Sequence, residues 1–492
     1  MTLPLGILLS ETVDLSHDIE NIEVSQLTLD SREVSTGSLF VALQGSKEHG
    51  VRYANTAQVQ GAVAILVEGD EQCEEGVTIP CINIAQLRSH LGIIADRFYG
   101  SPSASMTVIG VTGTDGKSSV SHFVADALNH AGIKTAVIGT LGVGMPGKLV
   151  DTGLTTPNVI TLHKLFAQFK EEAVQTVIME VSSHALDQER VSGVRFKTAL
   201  LTNLGRDHLD YHKTIEAYAE AKEKLFERPE LENIVINEGD LFGQKVLAKY
   251  SRPELAVMRF SSKDNSNSQL HAENINYSPS GISADIIYQN NHYPLKVSVI
   301  GAFNLENILA SIAVLLTMNF SIERAIEYVS LVQTVPGRME KIPNEQGILV
   351  VVDYAHNPGA LAAALQAVKP HTSNRILCVF GCGGDRDKGK RPLMAKVAED
   401  NAQMVILTDD NPRSEMPFQI MHDMIEGLAN PEFVAVEHDR AKAIQLAIKS
   451  ASNGDTVLIA GKGHETTQQI LDESYPFDDR KQAVLALAEC DS

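Results

Sequence analysis

From residue 106 onward the chain repeats one pattern: a continuous apolar run ending in polar residues, then a stretch whose apolar positions recur at helical spacing. The runs are MTVIGVTGTDGKS (106–118), KTAVIGTLG (134–142), TVIMEVSSH (176–184), TALLTNLGRDHLD (198–210) and ENIVINEGD (232–240), with amphipathic stretches at 119–132 and 158–173. An apolar run without alternation suits a strand buried on both faces, so this order predicts a parallel sheet covered by helices. A second series follows at 348–360, 375–389, 402–413 and 455–465. The first hundred residues read differently, with shorter runs at 38–43, 62–69 and 80–85 before a helical stretch ending RFYGSPSAS. Residues 262–300 pass from Asn- and Ser-rich text into the alternating runs ISADIIY and YPLKVSV, which predict a small antiparallel insertion with no legible function.

These shifts predict an α/β chain of three domains, consistent with its 492 residues. A smaller α/β N-terminal domain is expected over 1–102, a doubly wound, mostly parallel central domain over 103–335, and a Rossmann-like C-terminal domain over 336–492. The first boundary falls near Ser101–Ser105, the second where Pro336 and Gly337 interrupt a helical pattern. Polar clusters at the carboxyl ends of the strands are where open α/β sheets bind ligands.

Charge narrows the ligands. Lys plus Arg is 41 against 62 Asp plus Glu, a net −21 that disfavours nucleic acid and anionic lipid. A small polyanion is still accommodated where backbone amides, Lys, Arg or a divalent metal reverse the local field. The five cysteines are too scattered to staple the chain and fit a reducing cytosol. The N-terminus lacks the features of a secretion signal, and no apolar run reaches membrane-spanning length; a soluble cytoplasmic protein is expected.

Gly110-Val111-Thr112-Gly113-Thr114-Asp115-Gly116-Lys117-Ser118-Ser119 follows a predicted strand and opens a predicted helix. That is the setting of a phosphate loop, in which backbone amides cradle phosphate, Lys117 adds a cation and the Ser118 hydroxyl can ligate Mg²⁺. The strict spacing fails at Val111, so on spacing alone an ordinary Gly-rich strand-to-helix turn competes. Taken singly, Glu180 is equally a solvent-facing acid at a strand end, His208 a loop histidine, and Asp30-Ser31-Arg32 a polar turn. Nothing in the spacing singles out Lys222.

The ordered set GVTGTDGKSS, EVSSHALDQER, TNLGRDHLDYH, AYAEAK, GAFNLEN, GRME, DYAHNPGAL, FGCGGDRDKGKRP, DDNPR and AGKGHE, spread over about residues 27 to 480, resembles the Mur ligases of peptidoglycan synthesis. The resemblance implies an ATP-dependent amide ligase that activates a carboxylate as an acyl phosphate and passes it to an amine. It implies catalytic roles for Lys117, Glu180, His208 and Lys222, with ATP at Gly113, Thr114, Asp115, Gly116, Lys117, Ser118 and Ser119 and beside His356 and Asn357. Mg²⁺ would be held by Ser118, Glu180, His208 and Lys222, the lysine as a carbamate formed from CO₂. A UDP-muramoyl dipeptide would meet Leu29, Ser31 and Ser46, then Thr155, Thr156, Ser182, Gln188 and Arg190. Arg386, Asp410, Asn411, Pro412, Arg413, Gly461 and Glu465 would take the amino end and second carboxylate of meso-diaminopimelate, and Lys388 or Arg391 would meet phosphate.

Two departures from the family pattern stand out: Asp115 where Asn is usual, and Ser118-Ser119 where Thr-Thr is common. The expected partners are small molecules only, with no nucleic acid and no membrane insertion, and the chain acting as a monomer. Two alternatives stay open: a related Mur or folylpolyglutamate-type ligase using another amino acid, and a nucleotide-gated binding protein that hydrolyses ATP slowly.

Overall fold

The computed structural model describes residues 2–45, 48–262 and 268–490. The chain separates into two compact units, Met1–Lys117 with Gly132–Ile236 and Asp240–Val257, and Ser118–Ala131 with Asn237–Gly239 and Met258–Ser492.

In the first unit, β1 (Gln26–Thr28), β2 (Ser38–Ala42), β3 (Ala62–Glu68) and β4 (Cys81–Ile84) form a parallel four-stranded sheet in chain order. Helix α1 (Leu87–Phe98) lays Leu87, Leu91, Ile94 and Phe98 into the core beneath it, which also takes in Val159 and Ile160. Gly92 sits where a Cβ would overlap the backbone of Ser192, so the helix seats closely against that turn. Cys73 and Cys81 are disulfide-bonded, Cα to Cα 6.7 Å, which departs from the expectation of scattered cysteines that fit a reducing cytosol. The connection between β3 and β4 folds back over the second core of this sheet, and the bond closes only that local loop.

The larger parallel sheet of this unit contains β5 (Thr107–Thr112), β6 (Thr135–Gly139), β7 (Thr176–Glu180), β8 (Thr198–Leu201) and β9 (Asn233–Asn237), in the order β6-β7-β5-β8-β9. A hairpin of Gly142–Met145 and Lys148–Val150 extends the β6 edge. Each expected strand forms, and Val108, Val177 and Ala199 are fully buried in one core with Phe166 of α2 (Val159–Glu171). Register places Glu180 beside Val111 and Leu201 beside Thr112, so the polar ends of β7 and β8 flank the end of β5.

In the second unit, Leu270–Ser278, Gly281–Tyr288 and Asn291–Val297 form the expected antiparallel meander. The Asn- and Ser-rich residues 263–267 lie outside the described residues. Ala302–Thr317 is a strongly apolar helix buried on nearly every side. It is too short to span a bilayer, and no helix among the described residues is long and apolar enough to do so.

The C-terminal sheet holds the parallel strands β10 (Leu349–Asp353), β11 (Ile376–Phe380), β12 (Met404–Leu407), β13 (Val434–Val436) and β14 (Thr456–Ala460), ordered β10-β14-β11-β12-β13, with Glu340–Ile342 antiparallel at the β10 edge. Leu349, Val351, Cys378 and Phe380 enter the core on one face, while Val350, Val352, Leu377 and Val379 enter the core on the other. Burial on both faces is why these strands read as unbroken apolar runs.

Candidate functional site

The loop after β5 is shaped by two glycines, Gly113 at φ +144° and Gly116 at φ +84°. A Cβ on Gly113 would overlap the Thr202 hydroxyl, so only glycine lets the loop pass the end of β8. The segment 202–205 fastens the loop. The Thr114 amide donates to the Asn203 carbonyl at 2.9 Å, the Asp115 amide to Asn203 Oδ1 at 3.0 Å, and the Gly205 amide to Thr114 Oγ1 at 2.8 Å. Lys117 opens the helix Lys117–His130 and curls back to donate to the carbonyls of Gly113 and Thr114 at 3.0 and 2.8 Å. Ser118 and Ser119 are buried in the first turn, where helix amides lack intrahelical acceptors. The Asp115 side chain is exposed.

Lys222, on the helix Ile215–Glu223, is 1% exposed and donates from Nζ to the Gly113 carbonyl at 2.6 Å. Its Nζ lies 4.4 Å from the centre of the Tyr218 ring. Burial, aided by the charge of Lys117, pushes its pKa well below the ordinary lysine range, against the opposing pull of Asp207 and Asp115. Glu180 is likewise 1% exposed, which corrects the solvent-facing alternative. Its carboxylate accepts from the Thr140 amide at 2.9 Å and the Thr140 hydroxyl at 3.1 Å, and Gly139 leaves room that a Cβ would take from Oε1.

His208 has φ +53° and ends the β8 loop, its Nε2 3.5 Å from Asp207. Its ring meets His184 edge-on at 4.8 Å, and His184 also touches Tyr211 and His212. Burial, then mutual repulsion among these rings, lowers the pKa of His184. Among the described residues no three His, Cys, Asp or Glu side chains converge into a metal cage.

Thr156, Ser182, Gln188 and Arg190 meet as expected. Thr156 donates to the Glu180 carbonyl at 2.7 Å, and Arg190 donates to the Thr156 carbonyl at 3.1 Å and to Gln188 Oε1 at 2.6 and 3.0 Å. Ser182 caps the helix Ser183–Asp187, and Thr155 hydrogen-bonds Thr140 at 3.0 Å. Leu29 and Ser31 stand at a 3-10 turn capped by Asp30, whose carboxylate is held by Arg32, so this segment is a self-satisfied polar turn. Ser46 lies outside the described residues.

A cavity of about 450 Å³ opens at the carboxyl ends of β10, β11, β12 and β14. Arg386, Asp410, Asn411, Arg413, Gly461 and Glu465 line it, six of the seven residues expected together; Pro412 is not among the lining residues. Arg413 has φ +52° and donates to the Gly384 carbonyl at 2.8 Å. Glu465 is not a free acceptor: the Asn411 amide and the buried Lys462 both donate to Oε2, at 3.0 and 3.2 Å.

Sequence reasoning passed over Lys462 although it stands inside AGKGHE, and it also missed Tyr354, Asp387 and Lys390 on the cavity wall. His356 lines this cavity as well. Asn357 caps the helix Pro358–Val368 through Ala360 N–H. Arg391 is fully buried, with Nη1 and Nη2 bonded to Glu415, Asp423 and the Gly383 carbonyl, which corrects its expected role toward phosphate. Lys388 pairs with Glu415 at 3.3 Å. A second cavity of about 530 Å³ lies in the first unit among Arg97, Arg195, Arg228, Asp96 and Glu230. Arg97 and Arg228 there already donate to main-chain carbonyls.

Three family models match in succession: "Mur ligase family, catalytic domain" at residues 23–99, "Mur ligase middle domain" at 111–315, and "Mur ligase, glutamate ligase domain" at 337–463. The chain is 43% identical over 471 residues to the UDP-N-acetylmuramoyl-L-alanyl-D-glutamate–2,6-diaminopimelate ligase of Xylella fastidiosa, covering 95% of this chain and 94% of that one. It is 43% identical over 494 residues to the enzyme of the same name from Alkalilimnicola ehrlichii, covering 99% of each. A solved structure carrying that enzyme name superposes with a TM-score of 0.77 at 33% identity over all of both chains. The D-alanyl-D-alanyl ligase of Acinetobacter baumannii, 17% identical with a TM-score of 0.64 over 94% of this chain and 95% of that one, shares the fold.

Proposed function

The chain belongs to the Mur ligase family, and from that premise we propose that it joins meso-diaminopimelate to the D-glutamyl γ-carboxylate of UDP-N-acetylmuramoyl-L-alanyl-D-glutamate at the expense of ATP. The observation that carries the specificity is the C-terminal cavity, where Arg386 and Arg413 offer donors for a carboxylate and Asp410 offers an acceptor for an ammonium. Diaminopimelate presents both groups at its far end, whereas lysine lacks the second carboxylate and leaves a guanidinium unpaired.

In the reaction the γ-carboxylate attacks the γ-phosphorus of ATP and ADP leaves, giving an acyl phosphate. The free amine of diaminopimelate then attacks the carbonyl carbon, loses a proton, and the tetrahedral intermediate collapses with expulsion of phosphate. Bringing two anions together demands charge compensation more than covalent chemistry. Lys117 and the helix-start amides supply it at the phosphates, and Arg190 supplies it at the dipeptide carboxylates.

Mg²⁺ would be held by Ser118, Glu180, His208 and a carbamylated Lys222, and when bound it neutralises phosphate charge. The fit rests on two features: Glu180 is buried with neutral donors, the Thr140 amide and hydroxyl, on its carboxylate, and Lys222 is buried beside the loop. A cationic Lys222 would repel a metal, but its depressed pKa favours the neutral amine that adds to CO₂. The carbamate so formed carries the negative charge that the site needs.

The three family matches fall within the domains proposed at 1–102, 103–335 and 336–492. Since ATP and a UDP-linked precursor are cytoplasmic substrates, the reading places the enzyme there. The test is product analysis. ATP, Mg²⁺, UDP-muramoyl dipeptide and diaminopimelate should yield UDP-muramoyl tripeptide, ADP and phosphate in equal amounts, and ADP without tripeptide would refute the reading.

A further inference from the structure

Gln188 sits between two groups that together leave its amide little freedom. Its Oε1 accepts from Arg190 Nε at 3.0 Å and Nη2 at 2.6 Å, while its Nε2 donates to the Tyr211 hydroxyl at 3.2 Å. A guanidinium only donates, so the amide must turn its oxygen to Arg190 and its nitrogen to Tyr211. The Tyr211 hydroxyl spends its own proton on Asp187 Oδ2 at 2.8 Å, which leaves its oxygen to receive the Gln188 N–H. Asp187 in turn accepts from Lys224 at 3.1 Å. The Lys224 pair is exposed on both sides and contributes little by itself, but the direction of every donor in the chain is fixed.

The ring of Tyr211 is placed as firmly as its hydroxyl. It packs 4.3 Å from His184 and 4.8 Å from His212, within the segment that carries His208. Tyr211 therefore reaches the glutamine that holds Arg190 from the short helix Leu209–His212 that follows the β8 loop.

We propose that Tyr211 is a positioning residue of the muramoyl-dipeptide subsite: its hydroxyl locks the Gln188 amide, and that amide aims the Arg190 guanidinium at the substrate carboxylates. Gln188 then orients Arg190 through its oxygen, already taken by two N–H donors, while its amide nitrogen keeps a second N–H beyond the one given to Tyr211. The inference rests on the functional reading above.

The test is steady-state kinetics of Y211F, Q188A and the double variant, together with equilibrium binding of UDP-muramoyl dipeptide to each. Y211F should raise the dipeptide KM and Kd about fivefold, the worth of one hydrogen bond, with the KM values for ATP and diaminopimelate unchanged. The double variant should be no worse than Q188A alone, because both changes release the same guanidinium. A general structural defect would instead raise all three KM values together. That result, an unchanged dipeptide KM, or additive effects in the double variant would each overturn the proposal. A wild-type protein that binds no UDP-muramoyl dipeptide would overturn the functional reading and this inference with it, whereas wild-type turnover with an indifferent Y211F removes the inference alone.

Discussion

The Lys222 ammonium donates to the main-chain oxygen of Gly113 at 2.6 Å, which fastens a buried lysine to the first bend of the loop. With Lys117 gripping the same carbonyl at 3.0 Å, two lysine nitrogens share one acceptor. The arrangement favours release of a proton from the more buried of the two.

Carbamylation of Lys222 is therefore expected in the active enzyme. Carbon-13 NMR with labelled bicarbonate should show a carbamate resonance in wild type that K222A lacks. K222A should lose on the order of 100-fold or more in turnover, the scale of losing one charge-stabilising group in such a site. Full activity with an unmodified lysine would remove the carbamate from the account.

Asp115 is exposed, and its main-chain groups rather than its carboxylate tie it to Thr202 and Asn203. Its charge opposes a triphosphate and also raises the pKa of Lys222. D115N should keep turnover within about twofold and leave the ATP KM equal or lower, since an exposed charge is worth little. A collapse of turnover would assign the carboxylate a specific task.

Arg413 lines its cavity with one donor on the Gly384 carbonyl. R413A should raise the diaminopimelate KM by about 10- to 100-fold, the loss expected of a charge-assisted pair, and leave the ATP KM near its original value. Equal damage to both constants would contradict the assignment.

His371 acts in stability rather than catalysis. It is 2% exposed, receives the Gly301 N–H on Nε2 at 3.0 Å and donates from Nδ1 to the Ser278 carbonyl at 2.7 Å. Only the neutral ring satisfies both bonds, and burial lowers its pKa below the ordinary 6.5. Below pH 6.5 the unfolded chain takes up this proton first, so the contribution is full above that pH and is lost as pH falls toward the depressed folded value. Urea denaturation of wild type and H371Q should show a shallower pH slope in the variant across that window. Identical slopes would assign the pH dependence to other groups.

The strands were legible because each is buried on both faces and therefore written as an unbroken apolar run, as in β10 and β14. The residues of the C-terminal cavity were legible for a related reason, since Arg386, Asp410, Arg413 and Glu465 all lie in the polar loops that follow strand ends. Arg391 misled because sequence cannot show that a cation in a basic cluster is already claimed by Glu415 and Asp423. Lys462 and Tyr211 were overlooked because their importance lies in partners far along the chain, Asn411 for the one and Gln188 for the other. The Cys73–Cys81 contact likewise depends on how one loop folds back, which no spacing rule encodes.

The most direct test of the central claim is ADP release with UDP-muramoyl dipeptide and a panel of amino acids: meso-diaminopimelate, lysine and D-alanyl-D-alanine. The account predicts ADP formation that requires the dipeptide and is faster with diaminopimelate than with either alternative by at least about 100-fold in kcat/KM, as expected when a guanidinium of the site loses its carboxylate partner. Equal rates with lysine, or ADP release that needs no second substrate, would contradict it.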